Sequence, residues 1–190
     1  MSNRPERMPA LADEALTTAQ RDVVGEMVAG RRGELSGPFV PALRSPEFAR
    51  RLQHLGEYLR YDCALPPYVR EMVILLTARS HRQSYEWFVH EPIARREGLS
   101  PAIIDAISVD RRPDAMSLEE ARAYDLFWQL VSARDVSDTT YADAVASFGE
   151  QGVIDLLGLI GYYGTLALIM NATHVRVPRL EAEERRQEKE

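Results

Sequence analysis

Cysteine is nearly absent from this 190-residue chain: Cys63 stands alone. One thiol excludes an intrachain disulfide and a thiolate metal cluster, and it fits a reducing cytoplasm. Basic residues are also short, with 23 Lys and Arg against 29 Asp and Glu and a net charge of −6, which argues against a nucleic-acid footprint. The segment MSNRPERMPALADEAL lacks an apolar core of signal-peptide type. The longest apolar run, Leu156 to Met170, is 15 residues and carries three glycines. About 20 residues are needed to span a bilayer, so the run reads as a buried core helix and no membrane partner is expected. No glycine-rich phosphate loop and no Gly-x-Ser-x-Gly elbow occurs, which leaves nucleotide and serine-hydrolase readings without a motif. No stretch alternates as a strand does.

What remains is helical periodicity, and it predicts an all-α chain of about seven helices. Residues 1–10 read as a frayed, proline-bearing arm, and 11–30 as a helix ending at Gly30. Residues 31–46, with two glycines and three prolines, read as a loop able to roof a pocket, docked through Phe39, Val40 and Leu43. Pro46 opens a helix with Phe48, Leu52, Leu55 and Leu59 on its apolar face. Leu65-Pro66-Pro67 precedes an almost wholly apolar helix over 68–79. A further helix over 85–97 ends at Gly98 and contains Pro92. Ser100-Pro101 opens the next, with Ile103, Ile104 and Ile107 on one face. Ser117 and Glu120 form a capping box for 118–133. Ser137 caps 138–149, and a last helix over 152–174 carries Gly158, Gly161 and Gly164 at intervals of three, a spacing that permits close backbone approach. The organisation expected is an arm and helix over 1–30, one domain over 31–178 and a charged tail over 179–190.

Three polar groups fall on otherwise apolar helices: Glu71, Glu86 and His90. Glu86 and His90 are four apart and share a helix face. An ionised carboxylate is buried only when paired or hydrogen-bonded, so a purely structural network is one reading. An acid/base site is the other, because a carboxylate orients an imidazole and tunes its proton affinity. No His, Asp or Glu set shows metal-ligand spacing; Glu86 and His90 could supply two ligands without a third.

REMVILLTAR followed by SYEWFVHEPIARREGLSPAIIDAI resembles the carboxymuconolactone decarboxylase family, which shares its fold with the AhpD alkylhydroperoxidases. The family frame is a Glu and, twelve positions on, Cys-x-x-Cys-x-x-x-His. Here it falls on Glu71, Gln83, Glu86 and His90: the spacing matches and both cysteines are replaced. The Tyr85-Glu86-Trp87 form looks like the family's cysteine-free branch. The resemblance extends from about Phe39 to Pro178 through LRSPEFARRL, GEYLRYD and GLIGYYGTLALIMNA.

The resemblance implies an AhpD-like helical bundle and a cofactor-free lyase acting on a small carboxylated lactone. His90 would be the proton or oxyanion donor, Glu86 its partner or the alternative acid, and Glu71 the group that orients His90. Arg44 and Arg60 are candidate anchors for a substrate carboxylate, and Tyr85 could place its hydroxyl in a pocket. No metal or organic cofactor is implied, because such a substrate supplies its own electron sink. The resemblance also implies homo-oligomers, trimers or hexamers. Two other readings stand beside it. An AhpD-type peroxidase is disfavoured because it needs an attacking and a resolving thiol. A non-enzymatic helical oligomer that binds a small acid is the third.

Overall fold

The computed structural model describes residues 4–178; the charged segment 179–190, read above as a tail, lies outside them. Among the described residues there are eight α-helices, one 3-10 turn (Asp13–Ala15) and no strand. The helices are α1 (Thr18–Ala29), α2 (Phe39–Ala42), α3 (Pro46–Tyr61), α4 (Pro67–Ser80), α5 (Ser84–Arg96), α6 (Pro101–Ser108), α7 (Leu118–Ala133) and α8 (Asp138–Thr173). The helices expected over 138–149 and 152–174 run on as α8 with a break at Gly149, whose φ of 67° and ψ of 174° are not helical. That left-handed φ favours glycine. Among the described residues two compact units emerge, residues 59–164 and residues 4–58 with 165–178.

In the first-and-last unit, α1 starts with a capping box. The Thr17 hydroxyl accepts from the Gln20 amide, and the Gln20 side chain accepts from the Thr17 amide. Gln20 then donates from Nε2 to the Leu43 carbonyl at 3.1 Å. The segment 31–46 is thus pinned, and part of it is the short helix α2 where a loop was expected. Phe39 and Leu43 are buried as expected, and the Arg32 guanidinium lies 4.0 Å over the Phe39 ring. The arm is not frayed over residues 5–9. The Arg7 amide donates to the Thr173 carbonyl at 2.9 Å, the Pro5 carbonyl lies 3.3 Å from His174 Nδ1, and Glu6 accepts from the Arg176 amide at 2.9 Å. Backbone groups with partners of this kind hold an arm that composition alone would release.

Helix α3 buries Ala49, Leu52 and Leu59, with Gln53, and leaves Phe48 and Leu55 exposed at 44% and 46%. The expected apolar face was therefore half right. Small Ala49 and Gly56 lie on the inward stripe, and the helix turns them in and leaves the bulkier Phe48 and Leu55 outside.

Unit 59–164 is built around α4. Nine of its 14 residues are buried, from Val69 to Ala78, and it packs against α5, α6 and α7. Its amphipathicity is weak because neighbours cover it on several sides. Ile103, Ile104 and Ile107 of α6 are each at most 2% exposed. Each contributes about 1.5–3 kcal/mol of burial. The Ser117–Glu120 capping box forms, and α7 runs over the expected bounds. Asp155 of α8 is 4% exposed and accepts from the Ala64 amide at 2.9 Å, holding the turn between α3 and α4.

α8 is the one described helix long and apolar enough, by length and composition, to cross a membrane; just over half of that stretch is buried within the protein, as in a core helix. Its glycines act unequally. A Cβ on Gly164 would meet the His81 ring at 3.4 Å and one on Gly158 would meet Leu59 at 3.5 Å, while Gly161 meets nothing within 4 Å.

The α4–α5 connection is three residues long and fully bonded. The Gln83 amide donates to Ala78 O at 2.8 Å and the Arg82 amide to Arg79 O at 2.9 Å, a Schellman closure with Arg82 in the left-handed region at φ 52°. The Gln83 side chain then accepts from the Tyr85 amide at 2.7 Å and caps α5. The far end of α5 closes in the same way, with Leu99 N to Ala94 O at 3.0 Å and Gly98 at φ 94°, as its glycine led one to expect. Pro92 lies on the exposed side of α5 and the helix continues through it; water can reach the carbonyl that loses its donor there.

Gln83→Ala should lower unfolding free energy by about 1 kcal/mol through loss of the cap. Arg82→Gly should raise it by about 0.5 kcal/mol, the relief of left-handed strain less the entropic cost of glycine. Urea denaturation checks both. The Tyr68 hydroxyl donates to Glu119, joining α4 to α7, and this bond pushes its pKa up to about 12. A raised pKa means the stabilisation is whole below the unfolded value of about 10 and fades as pH rises toward 12. Wild type should therefore lose stability relative to Tyr68→Phe across that window, as read by urea midpoints at stepped pH.

Candidate active site

Glu71 arises from the middle of the apolar α4, and its carboxylate is 3% exposed. Glu86 and His90 arise from α5, one turn apart, 4% and 2% exposed. The short, doubly closed turn at 81–83 brings the two helices side by side, and the three groups meet. His90 Nδ1 lies 2.7 Å from Glu71 Oε2, and His90 Nε2 lies 3.5 Å from Glu86 Oε2.

The shorter contact orients the ring. An ionised carboxylate only accepts, so Nδ1 carries the hydrogen and donates to Glu71. Nε2 is then the nitrogen free to take or give a proton, and Glu86 is the carboxyl group beside it. Tyr163 of α8 closes the other side: its ring meets the His90 ring edge-on, with centroids 5.1 Å apart and planes at 89°. Burial pushes the Tyr163 phenol well above its ordinary pKa; Arg60 opposes this, and Glu86, Tyr162 and Glu71 add to it. The phenol stays neutral, and Tyr163 serves as an aromatic wall.

Arg60 belongs to the same electrostatic group. Burial acts to lower its pKa, yet Tyr163, Tyr61, Glu71 and Tyr162 raise it overall, so it remains a cation. Its guanidinium also lies 5.4 Å over the Tyr61 ring. Tyr85 is half-buried at the start of α5, its amide held by Gln83. Arg44 lies in the other unit; its Nη1 donates to Val40 O at 2.9 Å and its Nη2 to Pro9 O. That employment is structural, tying residues 9, 40 and 44 together, and nothing in it points to substrate.

Gln83, at the first cysteine place of the frame, is a helix cap. Cys63, just past the end of α3, donates to the Leu59 carbonyl in its last turn at 3.1 Å. Among the described residues no group of three His, Cys, Asp or Glu is placed to hold a metal ion. Tyr163 and Arg70 were missed by the sequence reading. Tyr163 lies inside an apolar glycine-bearing helix, where a tyrosine reads as packing. Arg70 carried one signal, a charge within an apolar run next to Glu71.

Loss of the buried bond predicts a stability effect. Glu71→Ala should destabilise by about 1.5–3 kcal/mol, the range for a hydrogen bond to a charged group, measured by denaturant unfolding.

Residues 46–127 match the model of the Carboxymuconolactone decarboxylase family. No curated protein matches the chain. Among solved structures, the alkylhydroperoxidase AhpD core of an uncharacterized peroxidase-related protein from Ralstonia eutropha JMP134 superposes with a TM-score of 0.70 at 18% identity, covering 93% of this chain and 94% of its own. The debrominase Bmp8 in complex with 2,3,4-tribromopyrrole superposes at 0.69 with 15% identity, covering 97% and 99%. A protein of unknown function from Agrobacterium tumefaciens gives 0.62 at 17% identity, covering 72% and 94%. At these identities the likeness establishes the fold. Residues 46–127 are thus similar to the carboxymuconolactone decarboxylase family, and the fold of the chain is AhpD-like.

Proposed function

We propose that the protein is a cofactor-free acid/base enzyme of the carboxymuconolactone decarboxylase type, acting on a small carboxylated lactone or a related enolisable acid. The observation that supports this is the buried imidazole between two carboxylates, held by one through Nδ1 and facing the other through Nε2. In the reaction the bond from ring carbon to carboxylate breaks and CO2 leaves. The electron pair moves through the ring alkene into the lactone carbonyl, and the resulting oxyfuran-like anion takes a proton on carbon. His90 Nε2 delivers that proton or donates a hydrogen bond to the developing oxyanion. Glu71 holds the ring in the tautomer that leaves Nε2 at work, and Glu86 re-supplies the proton. Arg60 is a cation for the substrate carboxylate, and the Tyr85 hydroxyl is a candidate substrate contact. The enzyme works as a homo-oligomer in the cytoplasm.

A peroxidase of the AhpD kind finds no support here. Its two thiol positions hold Gln83 and Glu86, and neither can attack a peroxide or resolve a sulfenic acid.

The test is turnover of 4-carboxymuconolactone in deuterated buffer, followed by NMR. Wild type should form the enol-lactone with deuterium on carbon. His90→Ala should be slower by about 10²–10⁴-fold, the contribution of a positioned acid or base. Equal rates for wild type and His90→Ala would refute the assignment.

A further inference from the structure

Arg70 directly precedes Glu71 on α4, and its side chain is 13% exposed. Its Nε is enclosed and has no hydrogen-bond partner. The carboxylate paired with it among the described residues is that of Glu71, whose Oε1 lies 3.9 Å away, beyond hydrogen-bond reach. Enclosed guanidinium donors ordinarily find acceptors, because leaving one unmet is costly. Glu71 cannot turn to supply the acceptor, since its other oxygen holds His90 at 2.7 Å. Among the described residues Nε is left without an acceptor, a place that a carboxylate added to the site could fill.

The shape of the guanidinium indicates what kind of acceptor fits. A guanidinium offering Nε and one Nη side by side matches the two oxygens of a planar carboxylate. Glu71 ties this fork to the reacting nitrogen, since one of its oxygens faces Arg70 and the other orients His90.

We propose that Arg70 is the specificity-determining anchor of this site, gripping a monoanionic carboxylate of the substrate through Nε and Nη and so setting the substrate beside His90. This deepens the acid/base reading above and rests on it for the reacting group. Arg70 joins Arg44 and Arg60, the two anchors suggested by sequence, as a candidate for that role.

The experiment uses the full chain with 15N-labelled arginine. Arginine Nε–H signals are followed while furan-2-carboxylate, its neutral counterpart furan-2-carboxamide, or inorganic phosphate is added. Wild type, Arg70→Lys and Arg70→Gln are compared, with circular dichroism as the check on folding. The carboxylate should shift one Nε–H signal that Arg70→Gln lacks. It should bind Arg70→Gln at least about tenfold more weakly, with Arg70→Lys between the two. The carboxamide should bind wild type more weakly by a similar factor.

Four results would overturn the proposal. They are no shift in wild type, equal affinity for carboxylate and carboxamide, phosphate binding as tight as carboxylate, and full carboxylate affinity in a folded Arg70 variant. The last, joined to a change in sedimentation behaviour, would assign the missing acceptor to a second copy of the chain. The two readings fail separately. Arg70-dependent binding with His90→Ala turning over like wild type would remove the acid/base assignment and leave the anchor. Loss of turnover in His90→Ala with carboxylate binding untouched in Arg70→Gln would do the reverse.

Discussion

The hydrogen bond from His90 Nδ1 to Glu71 is the interaction on which the site depends. It joins α4 to α5 across 19 residues of sequence, in surroundings where neither partner reaches solvent. A carboxylate in the middle of α4 is tolerable only because this donor meets it. An imidazole on α5 has a defined working nitrogen only because this acceptor fixes the other. Removing either partner leaves a buried polar group unmet and frees the ring to turn. Stability and chemistry therefore rest on the same contact, which is why a stability defect alone cannot separate a structural from a catalytic role for Glu71.

The connection that aligns the two helices is as tightly specified as the bond itself. Arg82 takes a left-handed conformation, and Gln83 closes α4 with its amide while opening α5 with its side chain. In the family frame Gln83 stands where a redox cysteine would. Here that position terminates and starts helices. The second cysteine place holds Glu86, one turn below His90. A thiol pair can exchange electrons and a cap with a carboxylate cannot, so the same backbone frame here carries groups suited to proton transfer and no thiol pair.

Around this centre the charges are arranged in opposed pairs. Arg60 is kept cationic by Tyr163, Tyr61, Glu71 and Tyr162 against its own burial, and Tyr163 is kept neutral by burial. Tyr163 also supplies the ring that packs edge-on against His90. Arg70 is the member whose hydrogen-bonding capacity the unit does not use. Its Nε is one of a few enclosed polar atoms without a hydrogen-bond partner, and it lies beside the carboxylate that holds His90.

The helices, their caps and the Glu71, Glu86 and His90 set were legible in the sequence, because each depends on local chemistry. Helical period marks the apolar stripes, Ser117 with Glu120 marks a start, Gly98 marks a stop, and a charge within an apolar run marks a buried polar group. The short helix α2 was not legible, because two glycines and three prolines over 31–46 read as loop until Gln20 and Arg32 are seen to hold it. Nor was the anchoring of residues 5–7, whose partners lie more than 160 positions away. The inward face of α3 was misjudged because side-chain bulk was weighed over the close approach that Ala49 and Gly56 allow. Sequence by itself determined where the longer helices lie and that Glu71, Glu86 and His90 fall on them. Only the tertiary structure decided that Nδ1 is the held nitrogen, that Tyr163 walls the ring, that Arg44 is occupied and that Arg70 is not. Those facts are distances between groups on different helices, and local periodicity carries no information about them.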